Sequence, residues 1–493
     1  MISKEALNAK AVEILSEVAA KKKLTMKDRI AIPQQDMPTQ RAEARVGNTS
    51  EVALGYTEAM ARVEAMRCLQ CANKPCVAGC PVAIDIPGFI KAIAEARDAD
   101  AIGIIKKSSL LPSVCGRVCP QEAQCMLTCT VGKINKNVEK GVAIGRLERY
   151  AADLERDSGK AVPPTVKSAT GKKVAVVGGG PASITFAVDV RREGHEVTLF
   201  EAFQKPGGVL MYGIPEFRLP KDIVEAEIDT LRKMGVEIRT NFVIGRSRTL
   251  KKLLEVDGYS AVFIGSGAGL PKFMEIPGEN FVGVFSANEY LTRANLMKAY
   301  DTERADTPIY RGKRVAVLGG GNVAMDAART ARRLGAEKVY LIYRRTEAEM
   351  PARVEEVHHA KEEGIEFKLL QNAVRILGNE QDVVTGVECI RYELGEPDAS
   401  GRRRPVAVEG SEFTLEVDSV IVAIGNESNP LIAATTPEIK VDKYGRILVD
   451  ENNETSMPKV FAGGDIVLGA ATVIRAMGEG RRAAAAVNAM LAK

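Results

Sequence analysis

The sequence contains no tryptophan, and aromatic residues make up only 5% of its 493 residues. It also has only three histidines, His195, His358 and His359. His195 stands in a predicted turn between a helix and a strand, and the adjacent pair stands in a charged helical stretch. We expect all three to be structural or exposed, which argues against a reaction that depends on a histidine acid or base.

Long apolar runs and a large net charge are also missing. The most apolar stretches, such as Ser419–Ile424, have the length of buried strands and are far shorter than a membrane span. The net charge of +4 is too small to indicate nucleic acid or a membrane surface as a partner. Residues Met1–Glu5 open a charged amphipathic segment and not a signal peptide. These features predict a cytoplasmic protein, whose thiols stay reduced and free to bind metal.

Cysteines, in contrast, are concentrated in one region. Eight of the nine form two arrays, each with a Cys-Pro pair: Cys68, Cys71, Cys76 and Cys80, then Cys115, Cys119, Cys125 and Cys129. Thiolates at this density are typical of iron–sulfur cluster ligation. The odd total argues against a complete disulfide framework. The ninth, Cys389, stands in an alternating, strand-like stretch and is predicted to be a small buried hydrophobe.

A glycine loop that fits a dinucleotide site follows the cysteines. The apolar run Lys173–Val177 predicts a buried strand that leads through this loop into a helix. Glu201 ends the next predicted strand, where a carboxylate accepts hydrogen bonds from an adenosine ribose. Ser183 occupies the third fingerprint position, where glycine is usual. The loop residues predicted to contact the dinucleotide are Gly178, Gly180, Pro181 and Ala182.

A second glycine loop is built in the same way but ends differently. It follows the predicted strand Arg314–Leu318, and at the position of Glu201 it has Arg344 and Arg345. Arginines there suit the 2′-phosphate of NADP(H) better than the free ribose of NAD(H), although both could simply form a solvated strand end. Arg353 is a further candidate for the same phosphate. The predicted loop contacts are Gly319, Gly321, Asn322 and Val323.

Iron–sulfur clusters move single electrons and nicotinamides move hydride, so a chain with both needs a converter, which a flavin provides. We therefore assign FAD to the first loop and NADP(H) to the second, in the two-dinucleotide flavoprotein plan. Because the flavin carries the hydride chemistry, we expect no catalytic side chain. No Cys-x-x-x-x-Cys pair follows the first loop, which argues against disulfide reduction. The remaining predicted FAD contacts are Gly208, Arg218, Val243, Gly464, Asp465 and Thr472.

The predicted fold is α/β, with two Rossmann-like domains preceded by an α-helical iron–sulfur domain. The predicted boundaries are 1–165 for the N-terminal arm and iron–sulfur domain, 172–295 with 412–493 for the FAD domain, and 296–411 for the NADP(H) domain. Residues 25–50 are expected to form an extended arm, and the stretch Glu347–Glu363 a solvated helix. The lysines at 21–23 are expected to form a solvated helix end.

These motifs together resemble the glutamate synthase small-subunit family of flavin and iron–sulfur oxidoreductases, from about Ile32 onward. The segments that carry the resemblance are Cys115–Glu122, Gly207–Pro220, Tyr343–Arg345 and Phe461–Ile466. Within the family, Gly267–Phe273 and Met350–Arg353 are most similar to the large (beta) subunits of NADH-dependent reduced ferredoxin:NADP oxidoreductases, which are electron-bifurcating transhydrogenases.

The resemblance implies two 4Fe–4S clusters whose ligands interleave between the two cysteine arrays. One cluster would be held by Cys68, Cys71, Cys76 and Cys129, and the other by Cys80, Cys119, Cys125 and Glu148. Cys115 would then be a spare cysteine beside a cluster. Glu148 has an alternative interpretation, that of an ordinary acid on a helix surface.

The expected function is exchange of hydride between NADPH and FAD and of single electrons with the clusters, within an electron-bifurcating complex. The expected partners are a smaller flavin and 2Fe–2S subunit that binds NADH, and ferredoxin. The sequence shows neither the N-terminal cysteine of a glutaminase nor room for an FMN barrel, so a glutamate synthase large subunit is the alternative partner. A sulfide dehydrogenase-type role and a non-catalytic assembly protein are the further alternatives.

Overall fold

The computed structural model describes residues 3–21, 23–398 and 401–493. Its first helix ends at Ala19, and Lys21 and Lys23 after it are exposed. Lys22, which belongs to the predicted solvated helix end, lies outside the described residues. Among the described helices, none combines the length and the apolar character that crossing a bilayer requires.

The N-terminal domain is helical, as the sequence between the cysteines predicts. Its core is formed by side chains such as Met60, Phe89 and Ile93, which are fully buried. Short 3₁₀ turns lie at Gln121–Ala123 and Val138–Lys140. The helices are α1 Lys4–Ala19, α2 Met26–Ala31, α3 Ala42–Arg45, α4 Glu58–Met66, α5 Pro75–Ala78, α6 Ile86–Ala94, α7 Asp98–Lys106, α8 Pro112–Val118, α9 Thr130–Ile134 and α10 Ile144–Asp157.

The predicted extended arm is only partly extended, because it contains α2 and α3. Its second half folds back on itself, and we call residues 38–54 the arm hairpin. Gln40 N donates to Val52 O at 2.9 Å, and Leu54 N donates to Pro38 O at 2.7 Å. The arm is thus a folded element with its own backbone hydrogen bonds.

Residues 158–172 form no helix or strand, and the first α/β unit follows them. Its apolar strands are buried along their whole length after the first residue, as in β1. The elements are β1 Lys173–Val177, α11 Pro181–Arg192, β2 Glu196–Phe200, α12 Val209–Tyr212, α13 Lys221–Lys233, β3 Glu237–Arg239, α14 Leu250–Glu255, β4 Ala261–Ile264 and β5 Leu270–Pro271.

The second unit repeats this alternation and then returns to the first. A 3₁₀ turn at Glu347–Glu349 precedes α17. The elements are β6 Val284–Ser286, α15 Ala287–Asn295, β7 Arg314–Leu318, α16 Asn322–Arg333, β8 Lys338–Tyr343, α17 Val354–Glu362, β9 Glu366–Leu369, β10 Gln371–Gly378, β11 Val384–Pro397, β12 Arg403–Ala407, β13 Phe413–Glu416, β14 Ser419–Val422, β15 Asn426–Glu427, α18 Leu431–Thr435, β16 Val460–Ala462, α19 Asp465–Leu468 and α20 Val473–Leu491.

Two parallel five-stranded sheets form the centres of these units; the edge strand of the first, β16, is its last in the chain, whereas the edge strand of the second, β6, is its first. Their strand orders are β16-β4-β1-β2-β3 and β6-β14-β7-β8-β9. Every pair within each is parallel. Helix α11 packs against α20, and Phe186 on α11 stacks on Phe263 of β4 with ring centroids 4.3 Å apart. The two Rossmann-like domains and the helical N-terminal domain confirm the predicted fold class.

The second sheet extends beyond the predicted segment 296–411 at both ends. Strand β6 pairs with β14, and β14 pairs with β7, so both belong to the second sheet. The prediction placed residues 284–286 and 419–422 in the FAD domain. A three- or four-residue apolar strand gives no sign of which sheet it joins, because pairing partners are set by tertiary contacts.

The stretch Glu347–Glu363 is not a solvated helix, contrary to the prediction. Glu356 and Glu363 are buried, with 5% and 3% of their surface exposed. Both accept hydrogen bonds from the buried guanidinium of Arg329 on α16. Buried carboxylates are tolerated where cations compensate them, and these cations come from other elements.

Candidate cofactor sites

The first glycine loop lies between the carboxyl end of β1 and the start of α11. Gly178 has φ +94°, and a Cβ on it would lie 2.7 Å from Gly265 O, so a larger residue does not fit. Gly180 precedes α11, and Pro181 is the first residue of that helix. The amides at this helix start have no partners within the helix, and with the helix dipole they favour a pyrophosphate.

Glu201 is held at the edge of this loop by backbone donors. Its carboxylate accepts from Gly179 N at 2.7 Å and from Phe203 N at 2.8 Å. Burial raises the pKa of Glu201, and the backbone hydrogen bonds oppose that rise. Val243 lies next to Phe242, whose amide donates to Glu201 O at 2.9 Å. The Glu201 carboxylate is therefore held at the end of β2, where dinucleotide-binding folds place the acid that binds a ribose.

Residues distant in sequence meet at the same helix start. A Cβ on Gly464 would lie 3.0 Å from Ala182 Cβ, and one on Gly208 would lie 2.8 Å from Gly180 Cα. Asp465 begins α19, and burial raises its pKa to about 6. Thr472 precedes α20, and the amide of Ala471 before it donates to Asp465 Oδ1 at 3.3 Å. The structure thus brings most of the predicted FAD-contacting residues to one end of the first sheet.

Arg218 is the exception among them. Its Nη1 lies 2.7 Å from both carboxylate oxygens of Asp326, and its Nε lies 3.2 Å from Glu356 Oε1. Both acids belong to the second α/β unit. The structure therefore commits this buried guanidinium to the interface between the two units, whereas the prediction placed it on FAD.

The second glycine loop is equally constrained. Gly319 has φ +144°, and a Cβ on it would lie 2.4 Å from Ala423 O. Gly321 precedes α16, which begins with Asn322 and Val323. Asn322 Oδ1 accepts from Arg353 N at 3.0 Å, which ties the loop to the start of α17.

The three arginines predicted to bind the 2′-phosphate lie in different environments. Arg344 is exposed at the end of β8 and forms no ion pair with any described residue. Arg345 is buried, with Nε donating to Arg403 O and Nη2 to Asp398, both at 2.7 Å. The Arg353 guanidinium donates to Arg117 O at 2.7 Å and to Glu355 at 3.0 Å. Of the three, Arg344 alone has a guanidinium with neither a hydrogen bond nor an ion pair to the part of the chain that the structure describes.

The cysteines fall into two groups that cross the sequence arrays. Burial, together with smaller contributions from the nearby thiols of Cys129 and Cys71, raises the pKa of Cys68 to about 11. Burial likewise raises the pKa of Cys76, which also lies close to Cys68 and Cys129. Cys129 therefore lies near Cys68 and Cys76 of the first array.

The second group contains Cys80, Cys119, Cys125 and Glu148. Burial raises the pKa of Cys125, and the charges of Cys119, Cys80 and Glu148 add to that rise. Burial raises the pKa of Cys80, with smaller contributions from Glu148 and Cys119. Cys115 is also a neighbour of Cys119 and Glu148, and Cys76 is a neighbour of Cys125. The interleaved ligand sets that the family resemblance implies stay a prediction.

The environment of Glu148 shows whether the second group could bind a metal cluster. It is 6% exposed on α10, which rules out the alternative of a surface acid. Its Oε1 has no hydrogen-bond partner among the described residues, and burial raises its pKa to about 8. A buried carboxylate oxygen without a partner is costly. The residues therefore fit an iron-containing group that would bind this oxygen together with the three thiolates.

No three described His, Cys, Asp or Glu side chains converge closely enough to hold a single metal ion. A 4Fe–4S cluster spreads its ligands, because each thiolate binds a different iron. Cys115 is fully buried, with Sγ 3.6 Å from Met477 Sδ on α20. Cys389 is buried in β11, and burial raises its pKa to about 12, as suits an inert hydrophobe.

Sequence reasoning missed the contacts between the cysteine region and the first α/β unit. Gln124 Nε2 donates to Thr472 Oγ1 at 3.2 Å, so the second cysteine group borders the start of α20. A Cβ on Gly478 would lie 3.3 Å from Pro81 O, beside Cys80. The only local signal is the glycine at 478 within a helical stretch, which allows close approach of another backbone.

The histidines take no part in these sites. His195 is buried, with Nδ1 2.7 Å from Thr170 Oγ1. His358 is exposed, and His359 is buried on α17. Their positions agree with the expected structural or exposed roles.

Comparison with known proteins defines the class. A family model described as pyridine nucleotide-disulphide oxidoreductase matches residues 172–488. A second, described as dihydropyrimidine dehydrogenase domain II with a 4Fe-4S cluster, matches residues 45–160. The fold resembles Mycobacterium tuberculosis FprA in complex with NADPH, with a TM-score of 0.54 at 19% identity over 64% of this chain and 84% of that chain. By class, the chain is thus a pyridine nucleotide-linked oxidoreductase with an iron–sulfur domain.

Sequence relatives define the family. The chain is 38% identical over 461 residues to the glutamate synthase [NADPH] small chain of Azospirillum brasilense, with 92% of this chain and 94% of that one covered. It is 40% identical over 441 residues to the beta subunit of the NADP(+)-dependent formate dehydrogenase of Moorella thermoacetica, covering 85% of this chain and 60% of the relative. The beta subunit of the Geobacter sulfurreducens NADPH-Fe(3+) oxidoreductase is 40% identical over 443 residues, with 85% and 63% covered. The chain belongs to the glutamate synthase small-subunit family.

Proposed function

We propose that this chain is the NADPH-oxidising or NADP-reducing subunit of a larger electron-transfer complex, with FAD on the first α/β unit and NADP(H) on the second. When bound, FAD exchanges hydride with NADPH and single electrons with iron–sulfur clusters. The observation that carries this proposal is the contact between Gln124 and Thr472. It joins the cysteine region to the helix start where FAD is expected.

The residues of the chain supply binding and orientation. Gly178 and Gly464 allow a pyrophosphate to approach the start of α11, and Glu201 is fixed to receive a ribose. The positive end of α20, preceded by Thr472, would face the flavin and favour its reduced anion. No side-chain acid or base is needed for hydride exchange.

Two 4Fe–4S clusters are part of the proposal. Cys68, Cys71, Cys76 and Cys129 would hold one of them, and Cys80, Cys119, Cys125 and Glu148 the other. Support comes from the two groups of neighbouring thiols and from the unpartnered Glu148 oxygen.

These ligand sets predict different results for two buried residues. Glu148→Ala should change the electron paramagnetic resonance spectrum and potential of one cluster only, while Cys115→Ala should leave both clusters in place. Iron and sulfide content should be measured in each variant together with the spectra. Unchanged spectra and potentials in the Glu148 variant would remove it from the ligand set.

For the complex, we propose an electron-bifurcating NADH-dependent reduced ferredoxin:NADP oxidoreductase, with a smaller flavin and 2Fe–2S subunit that binds NADH. Ferredoxin would then be the low-potential partner. The alternative is the small subunit of an NADPH-dependent glutamate synthase. The alternative is favoured by the coverage of 94% of the Azospirillum brasilense small chain.

Anaerobic purification of the native complex distinguishes these two functions. A copurifying small flavin and 2Fe–2S subunit would support the transhydrogenase, and a large FMN-containing subunit would support glutamate synthesis. NADPH added to the purified chain should bleach the flavin absorbance. Absence of bleaching in a flavin-loaded protein would leave a non-catalytic assembly role.

A further inference from the structure

The arm hairpin, residues 38–54, contacts all three domains of the chain. On the iron–sulfur domain, Arg149 Nη2 donates to Ala53 O at 2.9 Å, and Arg117 Nε lies 2.8 Å from Glu51 Oε1. On the first α/β unit, Val52 N donates to Phe217 O at 2.9 Å. One short segment therefore bonds to the two parts of the chain that would hold the clusters and FAD.

Arg45, near the turn of the arm hairpin, makes the third contact. Its Nε donates to Glu363 Oε1 and its Nη2 to Glu362 Oε2, both at 2.8 Å. The Nη2 group also donates to His359 O at 3.1 Å. The arginine is fully buried, with 0% exposed, although it belongs to an N-terminal segment 318 residues from Glu363. These three partners lie on or directly after α17 of the second α/β unit, and Arg45 Nη1 also donates to Gln40 O of the arm hairpin at 3.3 Å.

Glu363 also links Arg45 to α16, the helix that follows the second glycine loop. It accepts from Arg329 Nη2 at 2.8 Å and from Arg333 Nη1 at 2.6 Å, both on α16. The Phe217 ring lies below these arginines, with the Arg333 guanidinium 3.9 Å from its centroid. Helix α16, which follows Gly321, is therefore tied to the arm hairpin through Glu363 and to the first unit through Phe217.

The three domains enclose a small cavity at this junction, of about 30 Å³. Its walls include Val52 of the arm hairpin, Arg117 of the iron–sulfur domain, Arg218 of the first unit and His359 of the second. Interfaces between domains of one chain usually permit relative motion unless they are large and apolar. Here the contacts between the domains include buried ion pairs, Arg45–Glu363 and Arg218–Asp326, so the orientation of the second unit depends on them.

We propose that Arg45 is a positioning residue that clamps the NADP(H)-binding unit against the other two domains and so fixes the nicotinamide site relative to the flavin. The inference rests on the proposed placement of NADP(H) on the second unit and FAD on the first. Hydride transfer is sensitive to small misplacements of the reacting atoms, so loosening the clamp slows the transfer. The nucleotide pocket itself stays intact, because Arg45 does not belong to it.

The test uses the full chain with its cofactors, in three variants. Arg45→Ala removes the clamp, Arg45→Lys keeps the charge but loses the fork that reaches two carboxylates, and Arg41→Ala is the control, since Arg41 is exposed on the same arm. FAD and iron content are measured first. Anaerobic stopped flow then gives the rate of flavin bleaching by NADPH as a function of NADPH concentration.

For Arg45→Ala we expect a limiting bleaching rate lowered by roughly tenfold or more, with NADPH affinity, cofactor content and reduction by dithionite unchanged. Arg45→Lys should recover part of the rate, and Arg41→Ala should match the unaltered protein. Glu362→Gln should be slower as well, and its effect should not add to that of Arg45→Ala.

The outcomes separate the clamp from the proposed function. If NADPH does not bleach the flavin of the unaltered protein, the proposed function itself fails. If it does, and Arg45→Ala is as fast or faster with full cofactor content, the clamp is refuted. If Arg45→Ala loses FAD or iron, the Arg45→Lys and Glu362→Gln variants are compared instead. Normal bleaching rates in both of these variants would also refute the clamp.

Discussion

Arg344 should determine the preference for NADPH over NADH. It is exposed at the end of β8 with no ion pair to the described residues, whereas Arg345 beside it is committed to Asp398 and Arg403 O. A hydrogen bond to a charged group contributes about 1.5–3 kcal/mol. Since each 1.4 kcal/mol is tenfold, Arg344→Ala should lower the ratio of the kcat/KM values for NADPH and NADH by roughly 10- to 150-fold.

The assay is steady-state oxidation of each nucleotide with a one-electron acceptor dye, which needs no partner subunit. The loss should be confined to kcat/KM for NADPH, because NADH has no 2′-phosphate for the arginine to bind. Arg345→Ala is the matched control, and its ratio should change less, because its guanidinium already has partners. An unchanged ratio in Arg344→Ala, or an equal change in both variants, would refute the assignment.

Two further predictions concern stability. Phe186→Ala should lower the free energy of unfolding of the first α/β unit by about 3–5 kcal/mol, because both stacked rings are fully buried; guanidinium unfolding followed by flavin fluorescence measures it, and a loss below about 1 kcal/mol would contradict the packing. Burial would raise the pKa of Glu363, but Arg333 and Arg329 outweigh it and lower the pKa to about 2. Its stabilisation is thus complete above about pH 4.5, the usual value, and is lost as the pH falls toward 2. Urea unfolding between pH 5 and 3 should therefore show that the free energy of unfolding falls more steeply for the unaltered protein than for Glu363→Gln. An equal pH dependence in the two proteins would contradict this role of Glu363.

The glycine loops could be predicted from sequence because their signals are local. A loop such as Gly178–Ala182 needs its strand before it and its helix after it, and all three are contiguous in the chain. The family resemblance grouped Cys129 with Cys68, and the neighbours of these thiols agree with that grouping. The cysteine spacing alone does not determine this grouping, because cysteines that are adjacent in the sequence need not be adjacent in the folded structure.

The ion pairs between the domains could not be predicted, because their partners are far apart in the sequence. An acidic stretch such as Glu347–Glu363 has the composition of an exposed helix, and no residue close to it in the sequence indicates that buried arginines compensate its charges. Arg45 lies 318 residues from Glu363, and Arg218 lies 108 residues from Asp326. Compensating charges at such separations are visible only once the domains are packed together.

The path of the chain also sets the order in which its parts can be completed during synthesis. The sheet of the first α/β unit lacks its edge strand until β16 has been made, and α11 lacks its packing partner until α20 has been made. The second sheet needs only residues up to Val422. On the ribosome, where folding proceeds from the N-terminus, the inserted unit can therefore close while the unit that surrounds it is still open. The pocket proposed for FAD, which includes the contact of Gly464 with Ala182, would be among the last parts of the molecule to form.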